Sequence, residues 1–227
     1  SIFVLFPDAQ GLDKAFGVKL DAPTFVLIWT TTPWTLPANL AVAVNPSSDY
    51  SLVRFSTNSV ADGYTFIGSE LLESLRQSAG FVSLEVVATA KGKDLVGVTY
   101  AHPFMQRRGA AIGADFVTMS DGTGIVHIAP GHGTEDYLAG LENGLPIFSP
   151  VDARGCFTSD VPLWQGLGVH DADPQIIKHL ADLGALVSAT KMKHSYPHCW
   201  RCKSPVIFRA TPQWFVRVEN DGLREKL

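Results

Sequence analysis

The sequence predicts an α+β fold with a β-barrel core and peripheral helices. Three observations predict it: many short apolar strand-like runs, few stretches of helical periodicity, and frequent turns at its 20 glycines and 14 prolines. At 227 residues the chain can bury a sizeable core as one large domain or two small ones.

Taken in order, Ser1–Phe6 and Thr24–Thr31 read as strands joined by a loop bearing glycine and aspartate. The segment Thr30–Asn39, TTTPWTLPAN, follows the apolar run Phe25–Trp29. Its two prolines stop any helix, so the threonines are expected at a strand end leading into a rigid, extended turn. Leu40–Val44 and Tyr50–Phe55 are strands around the turn Asn45–Asp49. Leu71, Leu72 and Leu75 give Ser69–Ala79 helical spacing, and Gly80 ends it. Leu84–Ala90, Val96–Tyr100 and Gly113–Met119 are further short strands. Gly124–Ala129 reads as a strand with one polar misfit, His127, and Pro130–Gly133 breaks it. Thr134 is the expected N-cap of a helix Thr134–Asn143 that Gly144 stops. Val151–Gly168 is loop-rich. Asp173–Leu183 is a helix with Pro174 in its first turn, Ile176, Ile177 and Leu180 on one face, and Gly184 as cap. Asp221–Leu227 begins a charged helix.

Composition narrows the function classes. Hydrophobic residues make up 46% and charged residues 18%, ordinary globular values, and no apolar run reaches membrane-span length. The net charge of −4 gives no global basic field for nucleic acid, so any RNA contact must be local. Three cysteines do not make a disulfide framework, and a reducing, cytoplasmic location is expected. The chain opens with Ser1 and enters a strand directly, with no charged region before it. That reads as a piece of a longer chain, not a signal peptide.

The chemistry-bearing residues concentrate in Asp121–Tyr137, DGTGIVHIAPGHGTEDY. Gly122, Gly124, Gly131 and Gly133 allow tight turns and close approach of a ligand. A strand end, a glycine turn and a helix start present exposed N–H groups and fixed side chains together. The spacing does not fit a dinucleotide fingerprint, because His127 stands where its third glycine belongs. His127, His132 and Asp136 could ligate a metal, although hydrogen-bonded structure is the commoner use of such a trio. Thr30, Thr31 and Thr32 are, taken alone, ordinary β-branched strand residues. Cys156 is a lone thiol with no nearby base and reads as a core residue. Lys191–Arg209 carries His194, His198, Cys199 and Cys202 among basic residues. Cys199-x-x-Cys202 is half a zinc knuckle by spacing, and no second pair exists within the chain.

In combination these motifs are specific. TTTPWTLPAN, then GTGIVHIAPGHGTEDY, then HCWRCKSPVIFRATPQWF resembles the editing domains of isoleucyl-tRNA synthetases, in the family's order and over nearly the whole chain. The related valyl and leucyl editing domains carry Arg and an acidic residue where this chain has Thr32 and Trp34. The resemblance implies an inserted domain at 1–210, built around a β-barrel, with a cysteine-pair segment near 194–205. Residues 211–227 would start the return to the Rossmann catalytic domain. It also implies hydrolysis of mischarged Val-tRNA(Ile), with valyl-adenylate as a second candidate substrate, and no amino-acid activation by this chain. The partners implied are the tRNA(Ile) 3′ end carrying valine, the valine moiety, and the catalytic domain of the same synthetase, with no membrane.

Roles follow from the same resemblance. Asp136 would bind the substrate α-ammonium, and His127 would form part of the size-selecting wall. Trp34 would face the valine side chain. Thr30, Thr31, Thr32 and Thr35, with Asn39 nearby, would hold the terminal adenosine and position the attacking water. The backbone at Gly122, Gly124 and Gly131 would admit the ester closely. No serine or cysteine nucleophile with a paired base is present, so direct attack by water is expected. No cofactor is expected in this chain. Cys199 and Cys202 would be a zinc half-site completed only in the full-length enzyme. Two rival functions remain from the residues themselves. One is a metal-dependent hydrolase using His127, His132 and Asp136; the other is a non-catalytic tRNA-binding module using Lys191, Lys193, Arg201, Lys203 and Arg209.

Overall fold

In a computed structural model the chain is described over residues 1–192, 196–219 and 222–226. Ten strands occur among the described residues: β1 (Ile2–Pro7), β2 (Phe25–Thr30), β3 (Ala41–Val44), β4 (Asp49–Thr57), β5 (Gly63–Gly68), β6 (Phe81–Lys91), β7 (Thr99–Ala101), β8 (Arg108–Gly113), β9 (Ile125–Ile128) and β10 (Leu186–Ala189). The helices are α1 (Leu12–Phe16), α2 (Leu72–Ser78), α3 (Gly92–Leu95), α4 (Thr134–Glu142), α5 (Val169–Asp182) and α6 (Leu223–Lys226). The fold is therefore α+β, as expected.

The strands form three sheets, in the orders β10-β1-β2, β7-β8-β3-β9 and β5-β4-β6. Every ladder is antiparallel except β3 against β8. Single bridges such as Thr24 to Tyr64 and Gln10 to Thr99 stitch sheet to sheet. No pairing among the described residues joins the three into a closed barrel. What unites the sheets is burial. One cluster takes Val4 and Phe6 from β1, Ile28 from β2, Leu52 from β4, Phe66 from β5, and Ile176 and Leu180 from α5. Such a shared core supplies the main stabilisation whether or not the hydrogen-bond ring closes.

Several expected elements shift, each for a physical reason. Thr30–Asn39 is not extended: Pro33–Ala38 forms a wholly buried 3₁₀ turn. Pro33 occupies a first-turn position, where its missing N–H costs nothing, and the following bonds close i to i−3. The expected strand Gly113–Met119 lies instead at β8, whose Ala110 and Ala111 have weak strand propensity but pair with Ala41 and Val42. Tertiary pairing overrides propensity there. β5 and β10 were not expected, and both are short strands added to existing sheets. α5 starts at Val169, a turn earlier than Asp173, so Pro174 lies inside it. The N-cap of α4 is Gly133, not Thr134, and carries no side-chain cap bond. α6 matches the described part of the expected charged helix; Asp221 and Leu227 lie outside the described residues.

One side chain fixes the glycine-bearing loop to the sheets. Tyr50 is fully buried; its hydroxyl accepts the Asn45 N–H at 2.8 Å and donates to Gly124 O at 2.7 Å. Burial pushes its phenol up to about 12, so it remains a donor at every physiological pH. Tyr50→Phe strands one buried donor and one buried acceptor. It should lower the unfolding free energy by about 1–3 kcal/mol in urea titrations; an unchanged midpoint would mean the bridge contributes nothing.

Candidate functional site

The site is built on the turn that follows β2. Thr30 ends the strand, and its Oγ1 accepts the Thr32 N–H at 3.0 Å. Thr35 then closes onto Thr32 O twice, through its N–H at 3.1 Å and its hydroxyl at 2.8 Å. Side chains from elsewhere in the fold clamp what is left over. The Trp34 N–H reaches Asp173 Oδ1 at 2.8 Å. Leu36 O meets His102 Nε2 at 2.9 Å, and Pro37 O is bound by the Arg107 guanidinium. The backbone of a buried 3₁₀ turn must find such partners because water cannot reach it.

His127, the misfit on β9, explains itself here. Its partners assign its tautomer. The Thr35 hydroxyl hydrogen is committed to Thr32 O, so its oxygen accepts from His127 Nε2–H at 2.9 Å. Asn39 Nδ2 then donates to His127 Nδ1 at 3.3 Å and to Ala41 O at 2.8 Å. Tyr100 completes the chain by donating to Asn39 Oδ1 at 2.8 Å. The imidazole is neutral, protonated at Nε2. Burial, and then the neighbouring His132, pull it down to about 4. His102 is held likewise. Its Nδ1 accepts the N–H groups of Phe104 and Met105 at 3.2 and 3.0 Å, and burial lowers it to about 3.

Beside the turn lies a cavity of about 220 Å³. Thr31, Thr32 and Trp34 line it, together with His170 and Asp173 of α5 and with Tyr196, His198 and Pro205. Volumes of this order suit a small apolar group with a few polar contacts. The expected residues thus divide into two groups. Thr31, Thr32 and Trp34 face the cavity, whereas Thr30, Thr35, Asn39 and His127 are buried in the network behind them. Burial pushes the Asp173 carboxyl up to about 6, partly offset by the Trp34 N–H. Asp173 and Tyr196 were not foreseen. Asp173 reaches the turn across 139 residues, a contact no local pattern signals.

The loop from β9 to α4 is organised differently from expectation. Asp136 Oδ2 accepts the Ala129 N–H at 2.7 Å, and the residue does not line the threonine cavity. Burial raises this carboxyl, against the opposing pull of the Ala129 bond. The glycines serve packing. A Cβ on Gly131 would sit 2.3 Å from Phe148 O, and Gly124, at φ +74°, would press Met119 and Gly68. A Cβ on Gly122 would meet the Trp29 ring at 3.1 Å. Their missing side chains face protein, so packing alone accounts for glycine at 122, 124 and 131. Gly131 does border a second hollow of about 330 Å³ with Tyr137, Phe208 and Arg209. His132 lies between: its Nδ1 meets Phe208 O at 2.9 Å, and its ring stands edge-on to Trp34 at 5.0 Å.

The cysteine pair forms a tight turn. Lys203 N–H returns to Cys199 O at 2.9 Å, Cys199 N–H bonds Ser204 O at 2.8 Å, and Lys203 takes the left-handed φ of 61°. Hydrogen bonds from the Ser204 backbone first, then its side chain and Cys199, hold the Cys202 thiol below its ordinary value. Two thiols presented together on such a turn fit half of a tetrahedral zinc site. No cluster of three or more metal ligands occurs among the described residues, and His194 lies outside them. Cys156 is half-buried and free.

The two neutral histidines make stability depend on pH. Their folded pKa values lie below the ordinary 6.5, so the unfolded chain takes up more protons as pH falls. Their stabilisation is complete above about 6.5 and is lost as pH drops towards 4 and 3. Asp173 is raised and opposes this between its ordinary 3.8 and about 6. Thermal midpoints should therefore decline from pH 7 to pH 4.5, and His102→Gln should flatten the decline; a flat wild-type profile would contradict the neutral assignment.

The sequence and fold have clear relatives. No family model matches the chain. It is 47% identical over 204 residues to the isoleucine–tRNA ligase of Petrotoga mobilis, covering 90% of this chain and 22% of that protein. The corresponding protein of Kosmotoga olearia is 49% identical over 226 residues, covering 100% of this chain and 23% of the relative. The chain thus spans under a quarter of the length of these curated relatives. Among solved structures, GlLeuRS-CP1 superposes with a TM-score of 0.64 at 14% identity, over 84% of this chain and 99% of that one. The editing domain of the P. knowlesi cytosolic leucyl-tRNA synthetase gives 0.60 at 12% identity, over 83% and 97%. No described helix is long and apolar enough to cross a membrane. The chain is a homologue of one segment of the isoleucine–tRNA ligases, and it has the fold of the CP1 editing domains of class I synthetases.

Proposed function

We propose that this chain is the proofreading domain of a cytoplasmic isoleucine–tRNA ligase and hydrolyses mischarged Val-tRNA(Ile), with valyl-adenylate as a second substrate. The observation that carries the reading is the cavity of about 220 Å³ walled by Thr31, Thr32 and Trp34 on a turn clamped from behind by His127. A missing methylene is worth only about 1–3 kcal/mol to a synthetic site, and isoleucine against valine in this very enzyme family is the standard instance of that figure. A second, tighter pocket that admits valine and excludes isoleucine supplies the remaining discrimination. A wall whose backbone is clamped at Trp34, Leu36 and Pro37 suits that task, because it yields little to an extra carbon.

In this reading Trp34 offers the apolar face to the valine side chain, and the Thr31 and Thr32 hydroxyls orient water and the terminal ribose. Asp136 takes the α-ammonium. Its Oδ2 takes the Ala129 N–H, and a carboxylate has acceptor sites beyond that for a charge-assisted bond. Catalysis then rests on positioning and electrostatics, with no covalent intermediate. The stretch 211–227 would lead into the catalytic domain; Trp214 is 100% exposed and Phe215 90% exposed, apolar surface a neighbouring domain would cover. Cys199 and Cys202 would meet a second cysteine pair elsewhere in the longer protein, so zinc would be bound there and not by this chain alone. The metal-hydrolase alternative is less well supported, since both His127 nitrogens and one Asp136 oxygen are already engaged. For the tRNA-binding alternative, Lys191, Arg201 and Lys203 are exposed, whereas Lys193 lies outside the described residues.

The deciding experiment is deacylation of Val-tRNA(Ile) against Ile-tRNA(Ile), with and without chelator. Valine release unaffected by chelator is expected; salt-sensitive binding without release would favour a binding module. Asp136→Ala should abolish deacylation, and retained full activity would remove Asp136 from the site. His127→Ala takes away the brace behind Thr35 and opens space under the turn. It should confer hydrolysis of Ile-tRNA(Ile); if that ester stays intact, the histidine does not set the size limit.

A further inference from the structure

We infer that Asp173 is a positioning residue for the threonine turn, holding Thr31, Thr32 and Trp34 in register with the cavity through the Trp34 N–H. The inference rests on the proofreading reading for its catalytic consequence, though not for its structural one. Trp34 is 3% exposed, so its N–H has no access to water and needs a protein acceptor. Within a 3₁₀ turn the first N–H groups have no partner in the turn itself. Asp173 Oδ1 supplies one at 2.8 Å. Asp173 comes from α5, whose Ala172, Ile176 and Leu180 are completely buried in the core shared with Trp34 and Leu36. The acceptor is therefore mounted on a rigid element and not on a loop. Asp173 also lines the cavity together with Thr31, Thr32 and Trp34, so the acceptor and the turn it holds bound the same hollow.

The chemistry needs an oxygen acceptor at this place, not a charge. Burial works against the ionised carboxylate, and the Trp34 bond only partly offsets it. The groups facing Asp173 are His170 on its own helix and Tyr196 and His198 from the segment across the cavity; the threonine turn contributes no charged group. An amide in place of the carboxylate keeps the acceptor and removes the cost of burying charge.

The test compares the wild-type chain with Asp173→Asn and Asp173→Ala. With Val-tRNA(Ile), Asp173→Asn should stay within about threefold of wild type in kcat, while Asp173→Ala should lose about 10- to 100-fold in kcat with a smaller change in KM. Equal losses in both variants would show that charge and not positioning matters, and no loss in either would remove Asp173 from the mechanism. A second readout needs no substrate. The Trp34 backbone amide resonance of the wild type should shift as pH is raised from 4 to 7, and the shift should vanish in Asp173→Asn. A titration that persists in Asp173→Asn belongs to another group and overturns the inference, as does an amide that never moves. Should the wild type release no valine at all, the proofreading reading fails while the amide titration still decides the role of Asp173.

Discussion

Everything at this site depends on one uncharged imidazole. His127 is buried on β9, gives its Nε2 hydrogen to Thr35 and takes one from Asn39. It thereby fastens a sheet strand to a turn that has no regular ladder of its own. A charged ring could not fill this role. Protonation at Nδ1 would set one donor against the Asn39 amide, and the ion would have to be desolvated completely. The fold thus selects the neutral form, and the depressed pKa is the thermodynamic expression of that selection.

The same logic recurs around the turn. His102 takes Leu36 O, Arg107 takes Pro37 O, and Asp173 takes the Trp34 N–H. These three residues come from the segment after β7, the approach to β8, and α5. With His127 from β9, three separate parts of the chain, the β7–β8 connection, β9 and α5, therefore converge on six consecutive residues, Pro33–Ala38. A turn so over-determined has few ways to yield, and it can be held rigid without long strands on either side. It also explains why two prolines are tolerated in sequence: each removes an N–H that would otherwise need yet another buried acceptor.

Much of this was legible beforehand and some was not. The α+β class, the strands before and after the threonines, and the helix stop at Gly144 follow from local pattern, because apolar alternation and glycine turns act over a few residues. The cluster Thr31, Thr32 and Trp34 stands out only through the family resemblance of TTTPWTLPAN, since its threonines taken alone read as ordinary strand residues. Local reasoning failed at the 3₁₀ turn, where proline was read as a breaker although 3₁₀ bonding spares it. It failed again at β8, whose alanines become strand only through β3. Asp173 was invisible for the same reason: its meaning lies 139 residues away. His127 was noticed as a polar intruder in an apolar strand, yet its partners could not be read from its neighbours. The glycines of 122–131 were assigned to ligand approach, but the space they vacate is occupied by Trp29, Met119 and Phe148.

The distribution of charge around the cavity carries the last step. The brace behind the turn is built from neutral donors and acceptors, apart from Arg107 at Pro37 and the Asp173 carboxyl at Trp34. Of two half-buried carboxylates, Asp173 lines the cavity and Asp136 lies outside it on the loop from β9 to α4, and burial raises both. A carboxylate raised by desolvation gains more from a cation than one already bathed in water, since the competing solvent is gone. A neutral, rigid wall sorts ligands by size and is indifferent to their charge. In the proposed reading the ammonium falls to Asp136, which stands apart from that wall, while Asp173 serves only as an acceptor for the turn. For the proposed proofreading role, separating the two tasks in space would let a pocket be strict about one carbon while still recognising an amino acid as such. A single residue asked to do both would have to be soft enough to meet the charge and stiff enough to refuse the carbon.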